Sequence, residues 1–232
     1  MIVVRREAQL LLVTQPDHAH FAAELLGLRR QDGLSGHPRR EDILFAAREH
    51  DNGWREADAA PRIDPSTHRP LDFRDCPTGL RHEIWLRGVA RYADSRPYAS
   101  LLIAEHALAL HRDRKGPDWE GFLAQILELQ EELAERSGYA AGAWLEDYRF
   151  LAWADAAALA ALGVWPRFDQ PLGRGEETSG TLRLDPFPLA GNTHFDIACR
   201  WIPERPYPDA QDLARTLAES RWTRLRVGVL PW

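Results

Sequence analysis

Six polar side chains fall on apolar helical stripes, and this places a condition on any fold the chain adopts. In a helix, residues three, four and seven apart share a face. On that spacing His18 lies with Phe21, Ala22 and Leu25, His50 with Ile43, Ala46 and Ala47, and Asp51 with Leu44 and Ala47. His82 lies with Trp85, Leu86 and Val89, His106 with Leu102, Ile103 and Leu110, and Asp155 with Leu151, Ala152, Leu159 and Leu162. An unpaired carboxylate inside a core costs on the order of several kcal/mol even after relaxation. Burying these stripes therefore calls for a shared counter-charge. One or two divalent transition-metal ions would supply it, because neutral imidazole and carboxylate are ordinary metal ligands.

Taken singly, each histidine reads as a core residue bonded to a backbone carbonyl. A His-Asp dipeptide also recurs by chance in a chain with nine histidines. It is the coincidence of several such groups on separate stretches that points to metal. The other histidines fit less well. His37 and His68 lie in loops, His20 is turned away from His18, His111 ends a helix, and His194 precedes a strand.

Along the chain, Ile2 to Val4 and Leu10 to Val13 read as a hairpin, and Thr14-Gln15-Pro16-Asp17 as a helix start. That helix runs to about Leu28, and a second opens at Pro38 and ends near Asp51-Asn52-Gly53. Residues 52–79 are rich in Pro, Asp and Arg and lack periodicity; Trp54, Ile63, Leu71 and Phe73 anchor them as an ordered flap. Helices are predicted over Leu80 to Ala93, Pro97 to His111, Pro117 to Arg136 and Ala143 to Leu162. A Gly-, Glu- and Ser-rich loop is expected over residues 169–180. Thr181 to Leu184, Phe195 to Trp201 and Leu225 to Val229 read as strands, with a helix from Pro208 to Ser220. The fold class these imply is mainly α: a helical body over residues 14–166, with a small antiparallel β-sheet. That sheet is built from the N-terminal hairpin and C-terminal strands, residues 1–13 and 167–232, packed on the body as one unit.

Composition narrows the function classes. A formal charge of −6 argues against a dedicated nucleic-acid binder. Lys115 is the sole lysine, which removes most Schiff-base chemistry. Cys76 and Cys199 make no Cys-x-x-Cys pattern, so a thiolate metal site or disulfide framework is not expected. The apolar part of the first residues is too short for a signal peptide, and no run reaches the roughly 18 apolar residues of a membrane span. The expected home is cytoplasmic and the expected partner a small-molecule substrate.

The order His18, His50-Asp51, Asp155 on successive helices resembles the HD-domain superfamily of metal-dependent phosphohydrolases. His82 and His106 between them resemble its binuclear branches. A closer likeness is to an uncharacterised bacterial family, domain of unknown function 3891. That likeness rests on Thr14-Gln15-Pro16-Asp17-His18-Ala19, His50-Asp51-Asn52-Gly53-Trp54 and Pro61-Arg62-Ile63-Asp64 with Arg69-Pro70 and Phe73. It continues through Glu105-His106 and Asp185-Pro186-Phe187-Pro188.

Three readings follow. In the first, Mn, Fe, Zn, Co or Ni bound by His18, His50, Asp51, His82, His106 and Asp155 activates water against a phosphate ester. Asp51 and His50 are then at the reaction centre, Arg62, Arg69 or Arg81 clamps the substrate anion, and Trp54 walls the pocket with Phe73. In the second, the likeness to the superfamily's di-iron oxygenases implies oxidative chemistry on the same ligands. In the third, the domain binds without catalysis. No Gly-x-Gly-x-x-Gly or Walker-type run occurs, so no nucleotide signature favours one over another.

Overall fold

Strands β1 (Ile2–Arg6) and β2 (Gln9–Val13) pair antiparallel around a tight turn at Glu7, which takes the left-handed conformation. The computed structural model describes residues 1–140 and 142–232. After β2 the chain enters α1 (Gln15–Gly27), capped by Thr14, whose side chain accepts from Asp17 N at 3.1 Å. Helix α2 (Arg40–Glu49) follows and packs on it. The flap is ordered: α3 (Arg55–Ala59), a small bridge between Ile63 and Pro70, and a turn at Phe73–Asp75. It docks on β1 through Val3 N to Asp72 Oδ2 at 2.9 Å.

Helices α4 (Thr78–Ala90), α5 (Pro97–His111), α6 (Pro117–Ser137) and α7 (Leu145–Ala161) follow. Prolines at the first turns of α5 and α6 set their starts, since the missing N–H would be unbonded there anyway. Helices α5 and α7 are buried on nearly every face, because α1, α2, α6 and the sheet surround them.

The C-terminal part contains β3 (Arg167–Gln170), β4 (Gly173–Thr178), β5 (Thr181–Asp185), β6 (Thr193–Pro203), α8 (Ala210–Glu219) and β7 (Trp222–Pro231). All strands join one sheet in the order β1-β2-β6-β7-β5-β4-β3. Along β2, Leu11 and Val13 face the helices, while Leu10 and Leu12 face α8 beside Ile202, Leu213 and Leu217. The strand is thus apolar on both faces, which explains its uninterrupted Leu-Leu-Leu-Val run. The larger core is continuous from the helices into the sheet, through Phe21 against Phe195 and through Leu182, Leu184 and Val229. Among the described residues no helix is long and apolar enough to cross a membrane.

The expected mainly α chain with a small antiparallel sheet is corrected by this arrangement. Among the described residues the chain is 49% helix and 21% strand, and the seven strands form one mixed, curled sheet. Two causes stand out. The stretch at 169–180 is largely the β3–β4 hairpin, whose mostly exposed and half-exposed positions lack the apolar alternation that marks a strand in sequence. And β7, returning from α8, inserts between β6 and β5, antiparallel to the first and parallel to the second.

Candidate metal centre

The centre is assembled by the ends and middles of helices. His18 projects from the first turn and a half of α1, placed by the Thr14 cap. His50 and Asp51 follow the last residue of α2, where the chain tightens into a 3-10 turn over Asn52–Trp54. Asn52 holds that turn, donating from Nδ2 to Glu49 O at 2.7 Å and to Gly88 O of α4 at 2.9 Å. Gly53 lets it approach α4: a Cβ there would lie 2.0 Å from Ile84 O. Arg87 of α4 completes the junction by donating to Gly53 O at 2.7 Å. His106 projects from α5 and Asp155 from α7.

These five side chains converge. His18 Nε2 lies 2.9 Å from Asp155 Oδ1 and 4.0 Å from Asp51 Oδ2. His50 Nε2 lies 3.2 Å from Asp51 Oδ2 and 3.4 Å from Asp155 Oδ1, and His106 Nε2 is 3.7 Å from Asp155 Oδ2. The rings of His18 and His50, and of His50 and His106, meet edge to face at 5.4 and 5.0 Å. Two overlapping groups result, His18-His50-Asp51 and His50-His106-Asp155, each with donor atoms within 4.8 Å of one another. All five residues are buried.

The second nitrogen of each ring decides what the first can do. His50 Nδ1 is 2.8 Å from Ala47 O. A carbonyl only accepts, so Nδ1 carries the proton and the neutral ring presents a bare lone pair at Nε2. That atom makes no aligned hydrogen bond, although carboxylate oxygens lie close on two sides. His106 Nδ1 is 3.1 Å from the Tyr148 hydroxyl. His18 differs: its buried Nδ1 has no partner among the described residues, and its Nε2 bonds Asp155.

Charge follows geometry. Burial pulls the His50 pKa down, but Asp51 and the hydrogen bonds of Asp155 and Asp51 outweigh it and raise it well above the ordinary value. Burial likewise pushes the Asp155 carboxyl up, and contacts with His18 and His50 hold it well below the usual range instead. For His106 burial prevails and its pKa falls to about 4. The two carboxylates thus favour one added cation beside them, either a second proton on His50 or a metal ion. The five-donor set fits a divalent transition metal.

His82 is not brought to this group. Its ring stacks on Phe122 at 4.3 Å and meets Trp119 edge-on at 4.6 Å. Helix α4 instead turns Trp85 toward His106, 5.7 Å between rings, leaving His82 a turn away against α6. The arginines also separate. Arg81 borders the cavity over the donors and braces the flap, donating from Nη2 to Phe73 O and Arg74 O at 3.0 Å and Cys76 O at 3.3 Å. Arg69 pairs with Glu204 at 3.1 Å, and Arg62 borders a separate shallow recess under the flap. Trp54 walls the donor cavity while packing on Cys76 and Ile84.

Two cavities open over the donors. The first, about 340 Å³, is bordered by Asp51, Trp54, Arg81, Trp85 and Arg114. The second, about 510 Å³, is bordered by Tyr148, Arg167, Asp169 and Gln170. They meet over His106, Leu110, Asp155, Leu159 and Trp165. Several bordering residues escape sequence reasoning. Tyr148 was within reach, seven residues before Asp155 on the same helical face. Gln15, whose buried Oε1 has no hydrogen-bond partner among the described residues, precedes the first periodic position of α1. Arg114 and Trp165 lie just past helix ends, where periodicity says nothing.

Over residues 1–204 the chain matches the family described as "Protein of unknown function (DUF3891)". No curated protein and no solved structure matches it. The match supports the likeness to that family and lends none to the HD-domain superfamily. The matched span holds all five converging donors and the turns that position them, and the chain belongs to this family, DUF3891.

Proposed function

We propose that the protein is a metal-dependent hydrolase that cleaves a phosphate ester of a small molecule at the five-donor centre. The observation that carries the reading is His50: its proton is pinned on Nδ1 by Ala47 O, so Nε2 turns a lone pair toward the carboxylates of Asp51 and Asp155. Three lone-pair-bearing atoms aimed at one another repel unless a cation lies among them. The order of donors along the chain, His, His-Asp and a late Asp, supports reading the centre as one for HD-like chemistry. With His82 elsewhere, the two overlapping groups share His50, so they suit a single ion held by three of these side chains, with positions left for water and a substrate oxygen.

A divalent ion bound there would supply Lewis acidity, lowering the pKa of a water and drawing charge from a phosphoryl oxygen. The protein's own groups do the rest. With His106 Nε2 committed as a donor atom, its Nδ1–H donates to Tyr148, which frees the tyrosine's own proton to reach a substrate oxygen in the second cavity. Asp51 and Asp155 both face the cavities and are placed to take the proton of an attacking water. Trp54, Trp85 and Phe73 limit water on the flap side.

The test is a phosphomonoesterase and phosphodiesterase screen of the full chain with manganese, iron, cobalt, nickel or zinc. Asp51→Ala should abolish hydrolysis, on the order of a hundredfold or more, while His82→Ala should keep at least half of it. Equal loss in both, or hydrolysis indifferent to chelator, would contradict the assignment.

A further inference from the structure

We infer that the cleft takes a substrate bearing a second anionic group, phosphate or carboxylate, clamped by Arg81 and Arg114; the inference rests on phosphate-ester hydrolysis at the donor centre. The two cavities differ in charge. In the second, Arg167 is already paired with Glu176 at 2.6 Å, and Tyr148, Asp169 and Gln170 give a polar wall without surplus positive charge. In the first, three guanidinium groups border the space: Arg74, Arg81 and Arg114. Arg74 is spent on Asp72 at 2.6 Å. Among the described residues Arg81 and Arg114 make no ion pair.

Arg81 is half-buried, with one nitrogen bonded to three flap carbonyls and the rest of its fork without a bonded partner among the described residues. Arg114 lies over Trp119 at 5.4 Å, a contact that orders the stem without neutralising it. The two cations feel each other. Burial is the main cause lowering the Arg81 pKa; Cys76 opposes it, and Arg114 lowers it further, ahead of the smaller opposing effects of Asp75 and Asp72. Both arginines also help depress His111, which shares their wall. Two unpaired guanidinium groups on one side of a partly enclosed cavity repel, and an anion with paired oxygens relieves that repulsion while matching the planar fork.

The placement gives the substrate a direction. Its scissile phosphoryl group sits where the cavities meet, over His106 and Asp155. Its second anion lies toward Arg81 and Arg114, between the aromatic walls of Trp54 and Trp85. Its uncharged polar portion lies toward Tyr148 and Gln170.

The test is calorimetric titration of the full chain, metal-loaded, with orthophosphate, pyrophosphate, tripolyphosphate and phosphonoacetate. At least one of the anions with a second charged group should bind about tenfold more tightly than orthophosphate. Arg114→Gln, an exposed position, should remove that gain and leave metal content unchanged. Arg81→Lys should reduce it. Whether the gain comes with phosphonoacetate or only with the condensed phosphates identifies the second anion as carboxylate or phosphate. No gain in the wild type, or a gain that survives Arg114→Gln, overturns the clamp. Orthophosphate binding insensitive to chelation would instead overturn the metal-centred reading, and an Arg114-dependent gain persisting in the chelated protein would leave the clamp standing.

Discussion

At the residue scale, the segment His50-Asp51-Asn52-Gly53-Trp54 divides its labour. His50 and Asp51 face the centre, Asn52 and Gly53 fasten the turn to α4, and Trp54 packs the flap. Gly53 is the most exacting of them, because any Cβ meets a backbone carbonyl that cannot rotate away. Gly53→Ala should cost about 2–3 kcal/mol of unfolding free energy through forced separation of the turn from α4. It should also weaken metal retention, since His50 and Asp51 move with the turn. A urea midpoint equal to that of the wild type would refute this. The sequence made His18, His50, Asp51, His106 and Asp155 readable, because each interrupts an apolar stripe at helical spacing. The same spacing misplaced His82. Phase shows which side of a helix is buried but not which neighbour lies against it, and His82 is covered by the aromatic face of α6.

At the scale of elements, that aromatic contact joins α4, α5 and α6. The His111 ring stacks on Trp119 at 5.1 Å, His82 stacks on Phe122, and His111 Nδ1 donates to Ala107 O at 2.8 Å. Burial lowers the His111 pKa from 6.5 to about 4. The folded form therefore binds fewer protons than the unfolded chain between those values. The stability due to neutral His111 is complete above pH 6.5 and is lost as pH falls toward 4. His111→Asn, which keeps a donor for Ala107 O, should make the unfolding free energy of metal-loaded protein less steep over that window, by about one proton's worth of slope. An unchanged slope would show that another group carries it. The helices around this contact were legible from their proline starts and apolar spacing. The β3–β4 hairpin was not, since exposed edge strands carry little apolar signal. Nor does local sequence announce that β7 pairs parallel with β5, because that pairing depends on the path through α8.

At the scale of the molecule, the family match ends at residue 204, yet β7 lies in the middle of the sheet and places Val227 and Val229 in the main core. The segment after 204 therefore completes a core shared with the helices that carry the donors. A chain ending at 204 should leave β5 and β6 with open edges and fail to fold cooperatively; a folded, metal-retaining truncation would contradict this. Everything proposed about chemistry rests on the meeting of five side chains from α1, the α2 turn, α5 and α7. The most direct measurement is elemental analysis of the full chain, purified without chelator or metal-affinity steps, beside His50→Ala and His82→Ala. About one transition-metal ion per chain is expected in the wild type and in His82→Ala, and almost none in His50→Ala. A metal-free wild type, or metal lost equally from both variants, would contradict it.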